Sequence, residues 1–142
     1  MAYFLLKHLV GIPECNGKMP GSIAGKGHAA RQGVVMTSPL FENFFSPKSV
    51  AVVGASDTPG RVGYAVIRNM AAGGFPGRIH PVNPAREKVN GIKAYPNLTA
   101  VGDAIDLAVI ATPIERVPAV IADCAAAGID NAIVLSAGGK ET

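Results

Sequence analysis

The residues of this 142-residue chain best suited to chemistry are three glycines, Gly54, Gly60 and Gly63. They stand between an apolar run and a helix-spaced run in "SVAVVGASDTPGRVGYAVIRNM" and read G-x-x-x-x-x-G-x-x-G. Glycine removes the Cβ that would keep backbone away from a ligand, and a helix start offers outward N–H groups with a dipole that favours an anion. The dipole contributes roughly 0.3–1 kcal/mol, so several N–H bonds must act together to hold a phosphate. The spacing departs from the dinucleotide fingerprint G-x-G-x-x-G, because "ASDTP" is inserted and widens the cradle. No Lys-Ser/Thr pair follows the glycines, which excludes a Walker A loop. The same glycines also suit a plain strand-to-helix crossing. Strand, loop and helix in that order favour a phosphate site over it.

A second point of chemistry follows the next apolar run, "GRIHPVNP". Nicotinamide-binding folds usually carry an Asp or Glu there for the ribose hydroxyl. Asn83 and Pro84 supply no carboxylate, and Arg86 lies just beyond. That combination favours a ligand with an extra phosphate, NADP or coenzyme A, over NAD, although Arg86 taken alone reads as a solvated loop arginine. The other reactive side chains are poorly placed for catalysis. His8 and His28 fall in an N-terminal stretch without periodicity, and His80 stands in a strand beside Pro81. Neither Cys15 nor Cys124 has a neighbouring base, and Cys124 falls on the apolar face of a helix, where a small core residue is expected. No cluster has metal-ligand spacing.

These residues need a scaffold, and the pattern from Phe41 onward supplies one. Ser49 to Ala55 is a short Val-rich run of the type buried on both faces of a parallel sheet. A helix is predicted from Pro59, capped by Thr58 or Asp57, with Val62, Ala65, Val66 and Met70 as its core stripe and "AAGG" as its stop. "GRIHPVNP" reads as a second strand despite Pro81, and "GIKAYPNL" as a short third strand and a brief helical turn. "DLAVIATP" reads as a buried strand running into a capping box. Thr112 would cap, Pro113 would take the first helical position and Glu115 would reach back. Val117, Val120, Ile121 and Cys124 line one face of that helix, Gly128 closes it, and "NAIVLSAGG" begins another strand. Strands alternating with helices predict a single Rossmann-like α/β domain, a doubly wound parallel sheet.

Composition agrees with a folded domain: 49% of residues are hydrophobic and 16% charged. The net charge of +3 comes from residues 1–35, which hold four Lys/Arg against one Glu, while the remainder is neutral. A neutral domain argues against a nucleic-acid face. The run "YFLLKHLVGI" is too short and too interrupted for a transmembrane helix and lacks the flanks of a signal peptide. Residues 1–35 are therefore expected to be a non-domain extension, with Met36 a plausible start and residues 36–142 the domain.

"FSPKSVAVVGASDTPGRVGYAVIRNM", "GRIHPVNP", "DLAVIATPIERVP" and "IVLSAGGKE" together resemble the CoA-binding domain of NDP-forming acyl-CoA synthetases, relatives of the succinyl-CoA synthetase α subunit. Similar domains occur in large bacterial protein acetyltransferases. The resemblance runs from Phe41 to Thr142 and implies coenzyme A, or an acyl-CoA, as the ligand. By position it implies a pyrophosphate loop on Gly54, Ser56, Asp57, Thr58, Gly60, Arg61, Val62 and Gly63. It further implies a wall from Asn83 and Pro84, a basic contact from Arg86, packing of the ligand against Ala111, Thr112 and Pro113, and closure by Ser136, Ala137 and Gly138. Gly139 departs from the family, which often carries an aromatic residue there. The family continues with a further helix and strand, a phosphohistidine domain and an ATP-grasp unit. The chain is accordingly expected to be a CoA-binding module, truncated at its C-terminal end, of a larger cytoplasmic ligase and inactive by itself. An NADP-binding redox domain and a stand-alone CoA-binding regulator are the alternatives.

Overall fold

The computed structural model describes residues 39–136. Expectations for residues 1–35, Ala137, Gly138 and Gly139 lie outside the described residues. A short helix α1, Pro39–Phe45, precedes strand β1, Ser49–Val53. Helix α2 spans Val62–Ala72, and β2 spans Arg78–Val82. A two-strand hairpin follows, β3 at Lys88–Val89 and β4 at Ile92–Lys93, then β5 at Leu107–Ile110, helix α3 at Val117–Ala126 and β6 at Ala132–Val134.

The main sheet is parallel, in the order β2-β1-β5-β6. Alternation along its two central strands separates two cores. Val50, Val52, Leu107 and Val109 join Val66, Ile67 and Met70 of α2 on one face. Ala51, Val53, Ala108 and Ile110 join Val120 and Cys124 of α3 on the other. With both faces covered, β1 and β5 are buried along their whole length, as their unbroken apolar sequences require. Each fully buried Val, Leu or Ile contributes about 1.5–3 kcal/mol. The doubly wound α/β expectation therefore holds. Among the described residues no helix is long and apolar enough to cross a membrane.

Pro81 is accommodated because β2 is the end strand of the four-stranded sheet. Its carbonyl accepts from Tyr95 N–H at 2.9 Å on the outer side, so the N–H that proline lacks is missing from that side and not from the ladder with β1. Asn90 (φ 51°) and Gly91 (φ 77°) close the β3–β4 hairpin. This is the Asn-Gly two-residue turn with both residues left-handed, a signal present in "VNGI" that the strand reading of "GIKAYPNL" passed over. Both long helices stop as expected. Phe75 N–H bonds to Met70 O and Gly74 N–H to Ala71 O after α2, and Ile129 N–H to Cys124 O and Gly128 N–H to Ala125 O after α3. These are paired Schellman closures around a left-handed glycine.

The helix starts differ from expectation. Thr58 O accepts from Arg61 N–H at 3.3 Å, and Gly60 has φ +85°. Thr58-Pro59-Gly60-Arg61 is thus a type II turn, with Pro and Gly at the two positions that turn favours. Pro59 belongs to the turn, and α2 begins at Val62 with no side-chain cap. The predicted capping box at Thr112 does not form either. Pro113 is extended (ψ 147°), a 3₁₀ turn occupies Ile114–Arg116, and α3 starts at Val117. Pro118 explains the delay. In a helix running from Pro113 it would sit in the interior, lacking a donor and pressing on the carbonyl four residues back; at the second position of α3 it does neither. Ile121 is 42% exposed, so the buried stripe of α3 is Val120 and Cys124 with Val117 half-buried.

Candidate functional site

From β1 the chain crosses to β2 on one side, and later to β5 on the other. The C-terminal ends of β1 and β5 therefore flank the topological switch point, where open α/β sheets bind ligands. A cleft of about 750 Å³ opens there, within the roughly 300–1,000 Å³ range of small-molecule sites.

Two turns form its floor. In the first, Gly54 (φ +84°) passes so near the second that a Cβ on it would stand 2.6 Å from Ala111 O. Ser56 Oγ accepts from Thr58 N–H at 3.1 Å and fixes the loop before the type II turn. A Cβ on Gly60 would meet no protein atom within 4 Å, so this left-handed glycine opens onto free space. A Cβ on Gly63 would instead fall inside contact distance of the Gly54 carbonyl. Gly63 thus seats α2 against the end of β1, a packing role and not an opening for the ligand. The N–H groups of the first turn of α2 have no intrahelical acceptor and no side-chain cap, which leaves them available to an anion.

In the second turn, Thr112 Oγ1 is buried and has no hydrogen-bond partner among the described residues. A buried hydroxyl left in that state is costly, and a ligand in the cleft that Thr112 lines would satisfy it. Asn83 ties the third wall to the first turn: its Nδ2 donates to Ala55 O at 2.7 Å, its Oδ1 accepts from Ala85 N–H at 2.8 Å, and its own N–H donates to Tyr95 O at 2.8 Å. Three arginines, Arg61, Arg86 and Arg116, line the cleft against one carboxylate, Asp123. The balance favours a polyanion.

Of the residues singled out from sequence, Gly54, Ser56, Thr58, Gly60, Arg61 and Val62 line the cleft. So do Asn83, Pro84, Arg86, Ala111, Thr112 and Pro113. Asp57 does not. Its Oδ1 accepts from Asn90 N–H at 2.6 Å and its Oδ2 meets Arg86 Nη1 at 3.4 Å. Ser136 lines an adjoining cleft of about 610 Å³, which shares Gly60, Arg61, Val62 and Leu135 with the first, and its Oγ is likewise buried without a partner among the described residues. Sequence reading missed Arg116, Leu135 and the segment Pro96, Asn97 and Leu98. The "ER" after "TPI" was the one available signal for Arg116. Cys124 is a core residue as expected, 3% exposed, and burial pushes its thiol pKa up, away from nucleophile behaviour.

A family model described as a CoA binding domain matches residues 48–141. The chain belongs to the CoA-binding domain family. Among the relatives of this CoA-binding domain, the ADP-forming acetate–CoA ligase II of Archaeoglobus fulgidus is 44% identical over 105 residues, covering 74% of this chain and 16% of the ligase. The subunit alpha of ADP-forming acetate–CoA ligase I of Pyrococcus furiosus is 40% identical, covering 68% of this chain and 22% of that subunit. Among solved structures, the dinucleotide-forming acetyl-coenzyme A synthetase 1 of Candidatus Korarchaeum cryptofilum, in complex with phosphate and ADP, superposes with a TM-score of 0.67 at 42% identity over 71% of this chain and 22% of that one. The domain spans less than a quarter of the length of each of these proteins. Their family is the one that the sequence motifs resemble, and its ligand is coenzyme A.

Proposed function

We propose that this CoA-binding domain serves a cytoplasmic ADP-forming acid–CoA ligase, in which it holds CoA while an ATP-grasp unit and a further domain carry out phosphoryl and acyl transfer. The observation that carries the placement of the ligand is the meeting, at the switch point, of uncapped α2 N–H groups, the unpartnered Thr112 hydroxyl and three arginines. These groups fit a pyrophosphate: the N–H groups and Thr112 donate to its oxygens and Arg61 and Arg116 neutralise its charge. Arg86 lies beyond the end of β2, where such folds seat a ribose and a phosphate attached to it. It takes the ribose 3′-phosphate. The adjoining cleft past Leu135 and Ser136 is the path for the pantetheine arm. When bound, CoA supplies the thiol that accepts the acyl group. The residues of this chain bind and orient it.

Calorimetric titration tests the reading. CoA is expected to bind and NADPH to give little heat, because the first turn is wider than the dinucleotide fingerprint. Tight NADPH binding with no response to CoA would overturn it in favour of a redox domain.

A further inference from the structure

Asp57 stands in the phosphate loop yet does not line the cleft. One of its oxygens is fixed by the backbone of the hairpin, through Asn90 N–H at 2.6 Å, where Asn90 is itself held left-handed by the tight turn. The other meets Arg86 Nη1 at 3.4 Å. One carboxylate therefore joins three loops: the turn after β1, the loop after β2 and the tip of the β3–β4 hairpin. The ion pair is open to solvent, with 45% of the Arg86 side chain and 38% of the Asp57 side chain exposed. Pairs this exposed add little to stability. What such a pair can do is orient. A guanidinium on a flexible stem loses less freedom on binding a phosphate when one edge is already held, and the fork keeps its remaining donors for the ligand.

From this geometry we infer that Asp57 is a positioning residue: anchored to the hairpin, it holds Arg86 at the cleft wall and so sets the preference for a ligand bearing a ribose phosphate. It also explains why an acidic residue is tolerated in a loop that binds anions. Both oxygens of Asp57 are engaged, one by Asn90 N–H and the other by the Arg86 guanidinium, so its charge is not presented bare to the phosphates. The inference rests on the CoA reading for the identity of the ligand.

Asp57→Asn provides the test, because the amide oxygen can still accept from Asn90 N–H while the charge that holds Arg86 is gone. The whole chain is titrated with CoA and with dephospho-CoA, as wild type, Asp57→Asn, Arg86→Ala and the double variant. Wild type is expected to favour CoA by about tenfold, the worth of a charged hydrogen bond. Asp57→Asn should lose most of that preference with its affinity for dephospho-CoA unchanged, and the double variant should match Arg86→Ala. An equal loss for both ligands, which a purely structural loop residue would give, overturns the proposal. So does an effect of Asp57→Asn that persists in the Arg86→Ala background. The Arg86 Nε–Hε NMR signal reads the hold with no ligand present: it should be ordered in wild type and averaged in Asp57→Asn, and identical signals would contradict the proposal. Failure of wild type to bind either nucleotide, with the Arg86 signal changing as expected, would instead remove the CoA reading alone.

Discussion

After β1 the chain takes eight residues, Gly54 to Arg61, before its helix begins, whereas after β5 it turns in three, Ala111 to Pro113, and passes through a 3₁₀ turn. Both turns stand at the switch point, and neither of the helices they lead to has a side-chain cap. The longer one is shaped by its backbone. Gly54 and Gly60 are left-handed, Gly63 admits the Gly54 carbonyl, and what the turn offers a ligand is space, N–H groups and, at its end, the Arg61 guanidinium. The shorter one and the 3₁₀ turn after it offer side chains, a buried hydroxyl at Thr112 and a guanidinium at Arg116. The contrast predicts that glycine substitutions in the first turn act through conformation, and substitutions in the second through single functional groups.

The largest effect should come from the first turn. Gly63→Val drives a side chain into the Gly54 carbonyl, and because the obstacle is backbone it cannot move aside cheaply. A loss of more than about 3 kcal/mol in chemical denaturation is expected. Gly60→Val should separate from it. No protein atom lies within 4 Å of the new Cβ, so the stability cost is that of a left-handed non-glycine residue, about 1–2 kcal/mol. The CoA signal, however, should vanish, since the branched side chain occupies the ligand's space. Equal destabilisation by the two variants would erase the distinction between a packing glycine and an opening one.

Thr112→Val sharpens the comparison from the other side. Replacing an unpartnered buried hydroxyl by a methyl group of similar size should leave stability unchanged or raise it by up to about 1 kcal/mol, while CoA affinity falls about tenfold. A fall in stability would mean that the hydroxyl serves the fold.

The smallest effect lies outside both turns. His80 in β2 is 5% exposed, and burial lowers its pKa below the ordinary 6.5; Arg78 lowers it further and Asp103 opposes them. The unfolded chain then binds a proton that the folded chain resists, so stability should fall as pH drops below about 6.5 and be unaffected by this group above that value. Thermal melts of wild type and His80→Gln across pH 5 to 8 would measure it, and parallel curves would show that His80 contributes nothing.

The elements that sequence reading placed well are the apolar runs buried on both faces and the helix ends marked by glycine. β1 and β5 are continuous apolar runs, and the glycine stops after α2 and α3 carry their own geometry. The errors lie where one residue type serves two local structures. Proline at the start of a helix and proline in a type II turn look alike until the glycine after it is weighed, as at Pro59-Gly60. The Thr112 capping box was defeated by Pro118, a residue outside the motif. The wall of the cleft was legible only in part, because Pro96, Asn97, Leu98 and Arg116 reach it through the folding of loops that carry no periodicity.

The most direct test of the phosphate cleft is amide chemical-shift mapping of the chain with CoA. Resonances from Gly54 to Tyr64 and from Ala111 to Arg116 should move together on titration, those of Gly60 and Val62 most strongly. Those of Glu42 to Lys48, at the opposite end of β1, should stay in place. Shifts confined to that opposite end, or spread over the surface without saturating, would contradict the placement of coenzyme A at the two turns.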